Sequence, residues 1–465
     1  MEFTIDIGTT AVKIVVYQNG KSIWTYQENV DTVFEPTGVA YQDPKQIKEI
    51  IWHAMQACRL KGIEFKTIVL STPMHTLIPL QQETLKMYIW SDQQASQCAK
   101  KIKATDFALT IYQHTGTPIH PMSPFCKLAF FKEAQSDMYC MTPFWSDLKA
   151  YLMEWLTGEW VTDYSNASAS GLFNTETFRW DESALDYLEL TSSQFPQVTD
   201  TIHTFSLTEQ LQGDYTEPIT VMIGSSDGCL ASLAGKVSTK STVSVTLGTS
   251  GAIRVLTTKR TIDPLGRFFC YYLMPGYWVI GGPTNNGGKV LEWLAKIFCA
   301  SKEEFYQQLP TLLKASVPGA NRLVFYPYLF GERAPLWSGD VTAAYQGLKW
   351  EHEKADLVRA AVEGILFNLN FIKQLLIQEP QLISVSGGFF QQPELIRLSA
   401  AIFSTPICYS EDNEPTYGAY LLANSIFSTN TTEQVVYEPD PSLVSVYATA
   451  FSIFSAGLTK ISEEI

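Results

Sequence analysis

Short runs of β-branched and aliphatic residues, punctuated by glycine and proline, alternate along this chain with longer stretches of helical spacing. That is the pattern of an α/β protein. Residues 4–17, TIDIGTTAVKIVVY, read as a buried strand, a tight turn at Gly8-Thr9-Thr10, and a second strand bearing Lys13. Gly20 turns the chain into a further strand over 22–26. Residues 45–59 put Ile47, Ile50, Ile51, Ala54 and Met55 on one helical face. Short strands are predicted at 67–71 and 218–224, and a buried one at 382–386 that ends in Gly387-Gly388. The spacing predicts helices over 93–101, 125–133, 144–156, 289–297, 355–378 and 394–403. A small apolar run at 231–235 starts another, Ala419 opens one more, and 443–465 forms a terminal helix.

The opening hairpin has a near-copy at 243–255, VSVTLGTSGAIRV. Gly248 aligns with Gly8, Thr249 with Thr9 and Ser250 with Thr10, an offset of 248 minus 8, or 240 residues, about half the chain. Lys13 has its nearest counterpart in Arg254, one position out of step, and the carboxylate Asp6 occurs in the first copy alone. Two glycine-hydroxyl hairpins half a chain apart predict two homologous halves, 1–240 and 241–465, facing each other across a cleft. The amides and hydroxyls of such turns can cradle phosphate.

Composition changes this picture in what it excludes. A chain of 465 residues exceeds what one compact core organises, and 46% hydrophobic with 13% aromatic residues suits a well-packed globular protein. The net charge of −14 argues against nucleic acid as a partner, while leaving room for a small anion held by amides and one lysine. Eight cysteines without a CxxC pair, mostly in apolar segments, read as buried thiols in a reducing compartment. No apolar run approaches the roughly 20 residues that span a bilayer. The expectation is a cytoplasmic protein with no membrane partner.

Candidate chemistry sits where strands end, since ligands of α/β sheets bind just past the carboxyl ends of strands. Met74 and His75 follow the strand at 67–71, although a lone histidine is more often structural. Trp90 and Asp92 suit a polyol, with an apolar face for C–H groups and an acceptor for hydroxyls; an interface tryptophan beside a helix-capping aspartate fits equally. The small polar run 162–168 reads as tight packing. Asp227, between a strand end and small residues and just before the second hairpin, is the first choice for a general base, with a turn or capping aspartate as the other reading. The glycine-rich stretch 281–288 opens a helix whose N-terminus suits an anion.

Taken together, Asp6-Ile-Gly-Thr-Thr, Met74-His75, Trp90-Ser-Asp92, His120-Pro-Met-Ser-Pro124 with Lys127, Asp163-Tyr-Ser-Asn-Ala-Ser, Asn285-Asn-Gly-Gly288 and Gly331-Glu-Arg-Ala-Pro335 resemble the FGGY family of carbohydrate kinases. The resemblance runs from Asp6 to Tyr417-Gly-Ala and implies two actin-like ATPase (ribonuclease H-like) domains around a catalytic cleft. It is strongest to the gluconate kinases of the family and next to its xylulokinases. It implies a transfer from ATP with Mg²⁺ to a small sugar or sugar acid: gluconate to 6-phosphogluconate, or a ketose or polyol instead. A non-catalytic sugar- and nucleotide-binding protein is the reading from a different class.

The resemblance also implies roles. Asp6 helps hold Mg²⁺, with Asp227 beside it, and Gly8, Thr9, Thr10 and Lys13 lie along the phosphates. Asp227 takes the proton of the sugar hydroxyl, Thr249 approaches the nucleotide phosphates, and Gly288, Gly387, Gly388 and Gln392 border the adenosine. Met74, His75, Trp90, Asp92 and Tyr164 line or support the sugar site, the first half carrying sugar and base and the second the nucleotide. The chain departs from the family's pattern at Gln94, where arginine is usual, and at Phe389-Phe390, where a small residue follows the glycines. A homodimer is compatible with all of this.

Overall fold

A computed structural model describes residues 1–80, 85–213, 215–410, 414–428 and 434–463. The chain divides into two compact units. The first comprises Met1–Val237, Leu256–Val279 and Asp412–Thr429, and the second Ser238–Val255, Ile280–Glu411 and Asn430–Ile465. The boundary expected after residue 240 is therefore crossed by two returning segments. Their apolar residues, among them Phe269, Tyr271, Leu273, Leu421 and Leu422, join the cluster around Leu230, Leu233 and Val237 in the first unit. Burial of those side chains, not sequence proximity, assigns them there.

The sheet of the first unit contains β1 (Glu2–Ile7), β2 (Ala11–Gln18), β3 (Lys21–Asn29), β4 (Thr67–Thr72) and β5 (Thr220–Ser226). From one side it runs β5-β4-β1-β2-β3, with the short strand Thr204–Ser206 beyond β5. β1 is antiparallel to β2 and parallel to β4, and β4 is parallel to β5. Period-two alternation sends Phe3, Ile5, Ile7, Val12 and Ile14 to one face, where α1 (Pro44–Leu60) and the helix Leu148–Thr157 pack. Val15, Tyr17, Val69 and Met222 go to the other, under the helices Asp227–Thr239 and Pro415–Ala423.

The second unit repeats the plan. Its sheet includes β6 (Val243–Leu247), β7 (Gly251–Thr257), β8 (Tyr277–Thr284), β9 (Ile383–Ser386) and β10 (Ile407–Tyr409), in the order β8-β7-β6-β9-β10, with the short strand Val436–Tyr437 beyond β10. The first hairpin strand is again central, with its partner on one side and a parallel strand, β9, on the other. The longest core helix, Lys354–Leu376, is buried along most of its length. The two-domain α/β arrangement expected from the repeated hairpin is therefore present.

Several local expectations are corrected. The helix predicted over 144–156 starts later, at Leu148, because the Asp147 carboxylate caps it by accepting from the Ala150 amide; Trp145–Ser146 is a short strand. The helix placed at 231 starts at Asp227, and the one placed at Ala419 starts at Pro415 with Gly418 inside it. The helix predicted over 93–101 occupies Ser96–Lys103. The terminal helix covers Pro441–Glu463, and residues 464 and 465 lie outside the described residues.

That terminal helix also overturns the expectation that no stretch reaches spanning length: Pro441–Ile461 is long and apolar enough to cross a membrane by length and composition. Its Leu, Val, Ile and Phe residues raise its hydropathy, and the helix is amphipathic. Tyr447, Phe454 and Leu458 are buried, whereas Ser442, Ser445, Thr449, Ser452 and Thr459 are exposed. Its buried face packs on the rest of the second unit through Tyr447 Oη, which accepts from Arg359 Nη1 at 3.0 Å, and through Phe454, whose ring lies 5.0 Å from that of Tyr326. Of the eight cysteines, all free, six are buried, Cys299 is half-buried and Cys140 is exposed.

Candidate active site

The antiparallel register of β1 and β2 puts Asp6 directly opposite Lys13. Four residues separate the last paired positions Ile7 and Val12, whereas three separate Leu247 and Gly251 in the second hairpin. The first turn is one residue longer. Arg254 consequently pairs with Ser244 and is not the positional equivalent of Lys13; Ala252, opposite Thr246, is. The parallel registers continue the row: Asp6 is level with Ser71 on β4, and Ser71 with Ser225 on β5. Asp6, the Met74-His75 turn and Asp227 thus share one edge of the sheet, the carboxyl ends of its parallel strands.

Around that edge, Ser71 Oγ donates to Asp6 Oδ1 at 2.8 Å, and Lys13 Nζ meets Glu414 Oε2 at 2.5 Å. Burial pushes the Asp6 carboxyl up to about 7, reinforced by the charges of Asp227 and Glu414 and opposed by Ser71 and Lys13. The turn is pinned from below. Gly8 N–H donates to Ala11 O at 2.9 Å, and the Thr9 carbonyl accepts from Gln42 Nε2 at 2.6 Å. The Thr9 hydroxyl accepts from Trp90 Nε1 at 3.0 Å, while Thr10 is exposed. Glu414 and Gln42 were missed in the sequence. Glu414 reads as an acid before a helix-starting proline, and Gln42 is a lone glutamine with no pattern around it.

His75 takes a left-handed backbone, φ 66°, and its Nδ1 lies 2.8 Å from Ala169 O. The fully buried Lys127 ammonium donates to the His75 carbonyl at 3.5 Å and to the Met122 carbonyl, and burial lowers its pKa to about 8. Met74 is half-buried. Tyr164 opens the helix Tyr164–Ser168, with ring centroids of Phe178, Phe173 and Tyr272 at 4.9, 5.5 and 5.6 Å. Trp90 is half-buried.

Asp92 is wholly buried and caps no helix; its Oδ2 accepts from Ala40 N–H and from Gln94 Nε2, each at 2.9 Å. It braces the Trp90 turn from behind. Its Oδ1 has no hydrogen-bond partner among the described residues. The glutamine at 94 thus supplies one donor where an arginine fork would supply two. Gln94→Arg is expected to raise stability by about 1 kcal/mol, about 2–4 °C in a melting experiment, by pairing that oxygen. An unchanged or lower melting temperature would show Oδ1 to be satisfied already.

Asp227 is the first residue of the helix Asp227–Thr239 and follows β5 directly. It is half-buried, and its Oδ1 accepts from Gly228 N–H at 2.6 Å. A carboxylate at a helix N-terminus and a strand's carboxyl end, close enough to raise the pKa of Asp6, can take a proton or share a cation with it.

In the second unit the helix Gly288–Phe298 rests on the Gly248-Thr249-Ser250 turn: Gly288 N–H donates to Gly248 O at 2.7 Å and Lys289 N–H to Thr249 O at 3.2 Å. A Cβ on Gly288 would lie 2.8 Å from Gly248 O, which explains the glycine there. Thr249 is exposed at the turn. Buried Glu332 organises the loop behind it, accepting from Thr284 Oγ1 at 2.6 Å, Asn285 N–H at 3.0 Å, Arg333 N–H at 2.7 Å and Asn368 Nδ2 at 3.0 Å. Gly387 has φ 99° and packs a would-be Cβ 2.6 Å from Leu247 O, at the end of β6, while Gly388 borders open space. Gln392 directly precedes the helix Pro393–Phe403 without a side-chain cap, its Nε2 donating instead to Tyr306 O at 3.4 Å. Phe389 and Phe390 are both buried, with ring centroids 5.2 Å apart, so their bulk goes into the core.

Comparison with known proteins adds to this geometry. Residues 1–234 match the N-terminal domain, and residues 243–426 the C-terminal domain, of the FGGY family of carbohydrate kinases. A gluconokinase of Bacillus subtilis (strain 168) is 33% identical over 442 residues, covering 90% of this chain and 86% of the relative. A gluconate kinase from Lactobacillus acidophilus superposes with a TM-score of 0.90 at 30% identity, over 99% of this chain and 98% of that one. A ligand-bound xylulose kinase from Lactobacillus acidophilus superposes equally, with a TM-score of 0.90 at 30% identity over 99% of each chain.

Proposed function

Because this chain belongs to the FGGY family of carbohydrate kinases, and so is a sugar kinase that takes its phosphoryl group from ATP, we propose that its acceptor is gluconate and its product 6-phosphogluconate. The similarity to a gluconokinase at 33% identity over 90% of the chain carries the choice of substrate. The xylulose kinase that superposes at a TM-score of 0.90 favours a second reading, a ketose acceptor. We assign the reaction to the cytoplasm, where ATP is supplied.

Asp227 is the general base in this reading. It accepts the proton of the attacking hydroxyl as that oxygen forms its bond to the γ-phosphorus and the bond to the β-phosphate oxygen breaks. Phosphoryl transfer asks the protein mainly for position and charge. Lys13 supplies a cation at the phosphate turn, with the amides of Gly8, Thr9 and Thr10 beside it. Thr249, Gly288, Gly387, Gly388 and Gln392 serve the nucleotide. Met74, His75, Trp90 and Tyr164 serve the sugar, with Asp92 as the brace of Trp90.

The residues present fit Mg²⁺. Among the described residues no group of three metal-binding side chains gathers. Magnesium, however, takes one or two carboxylates and completes its shell with waters and phosphate oxygens. Asp6 and Asp227 are two carboxylates that repel each other, and a bound divalent cation would neutralise that charge and the charge of the phosphates. The folded-state pKa of Asp6 lies above its ordinary value. The group therefore contributes stability at acid pH that is lost as pH rises toward about 7. Below about 7 a proton competes with the cation. The Mg²⁺ concentration for half-maximal rate is expected to rise roughly tenfold as pH falls from about 8 to about 6, and chelator to abolish turnover. A half-saturation point flat across that range would remove Asp6 from the metal site.

The test of substrate is ADP release by the purified protein with Mg²⁺-ATP and a panel of gluconate, xylulose, ribulose, glycerol and fuculose. Preference for gluconate supports the first reading. Preference for a ketose replaces it with the second. Release with none of them returns the non-catalytic alternative.

A further inference from the structure

The last turn of β5 before Asp227 is irregular, and a buried cation sits in the irregularity. Met222 pairs with Val69 but Ser225 with Ser71, so β5 carries one extra residue as a bulge. Gly224 makes the bulge at φ 71°, with a would-be Cβ 2.9 Å from the Leu70 carbonyl carbon. A bulge turns backbone carbonyls out of the ladder, and here they are buried, where an unpaired carbonyl is costly. Lys149, the second residue of the helix Leu148–Thr157, fills the gap. Its ammonium donates to Ile223 O at 2.6 Å and to Leu70 O and Ser225 O at 3.5 Å. It also lies 3.1 Å from Asp163 Oδ2, and neither side chain of this pair is exposed.

The pair leads back to the same strand end by a second route. Asp163 Oδ1 accepts from the amides of Ser165 at 2.8 Å and Asn166 at 3.0 Å, which fixes the short helix Tyr164–Ser168. Asn166 Nδ2 donates to Asp163 Oδ2 at 2.7 Å and to Thr72 Oγ1, at the end of β4, at 3.0 Å. Ser165 Oγ lies 2.9 Å from Ser226 Oγ and accepts from Ser226 N–H at 3.3 Å. Ser226 is the residue before Asp227, so one hydroxyl holds both the backbone and the side chain of its neighbour.

We propose that Lys149, Asp163 and Ser165 are positioning residues for Asp227, holding the bulged end of β5 so that the carboxylate keeps one direction. The inference rests on the reading of Asp227 as base. A buried ion pair is a poor way to add stability, because desolvation offsets its attraction and an apolar pair of similar volume often does as well. It is a good way to fix geometry, since three carbonyls and a carboxylate must all point at one nitrogen. The run 162–168, read from sequence as tight packing, thereby gains a role in the reaction.

The test uses the full-length protein with Mg²⁺-ATP and whichever sugar of the panel it turns over, in four forms: wild type, Ser165→Ala, Asp227→Asn and the double variant. Ser165→Ala removes one hydroxyl and leaves the ion pair intact. It is expected to lower kcat about tenfold with both KM values within about twofold, because a small displacement of a reacting group costs rate, not binding. In the Asp227→Asn background the same change should cost nothing further, since its effect passes through the missing carboxylate. Lys149→Met, if it folds, should follow the same split. A Ser165→Ala enzyme with wild-type kcat overturns the inference, as does an equal loss in both backgrounds. Full activity of Asp227→Asn alone would instead overturn the base assignment, and the two failures are told apart by which variant keeps its rate.

Discussion

Asp227→Asn is expected to lower kcat by about 1,000-fold while leaving the KM for ATP and for sugar within a few-fold of wild type. Asparagine keeps the size of the side chain and an oxygen for the Gly228 amide, whose bond to Asp227 Oδ1 is 2.6 Å. What it lacks is a place for the proton of the attacking hydroxyl. It also removes a charge that adds to burial in raising the pKa of Asp6, so that carboxyl should fall part of the way toward its ordinary range. The Mg²⁺ titration should then move to lower pH in the variant, an independent sign that the two carboxylates are neighbours. Steady-state rates over the sugar panel and a Mg²⁺ titration at several pH values check both. A loss of less than tenfold would mean that the proton leaves by another route, and Asp227 would lose its role as base.

Gly418→Ala should destabilise the first unit by about 3 kcal/mol, although helix propensity alone favours alanine over glycine by about 1 kcal/mol. Gly418 lies inside the helix Pro415–Ala423, which packs with the helix Asp227–Thr239 in one apolar cluster of Leu230, Leu233, Ala419 and Leu422. A Cβ at 418 would stand 2.6 Å from the Leu230 carbonyl carbon and 3.0 Å from its Cα. These are backbone atoms and cannot rotate away, so the helices must part. The helix that would shift starts at Asp227, so kcat should fall as well as the urea midpoint. A variant as stable as wild type would mean that the helices can separate at little cost.

Much of the fold was legible because it is local. Gly8-Thr9-Thr10 and Gly248-Thr249-Ser250 announce two hairpins by turn chemistry and alternation, and both occur, with Asp6 opposite Lys13. Boundaries were less legible where a side chain sets them. Asp147 delays one helix by accepting from the Ala150 amide, and Gly418 sits inside a helix that the sequence reading began after it. Residues 256–279 and 412–429 belong with the first unit because of what they bury, which no spacing records.

The sequence by itself determined the two-fold plan, the hairpin that carries Asp6 and Lys13, and the strand ends after which His75 and Asp227 stand, since short apolar runs and the residues that follow them encode strands and their ends. Tertiary structure alone decided who attends these residues. Glu414 meets Lys13 from 401 positions away, Gln42 holds the Thr9 carbonyl, and Lys149 enters a bulge in β5 from a separate helix. Each is a charged or polar group whose partner is fixed by burial. A buried charge must find a counter-charge or a carbonyl wherever the folded chain brings one, and no periodicity along the sequence says where that will be.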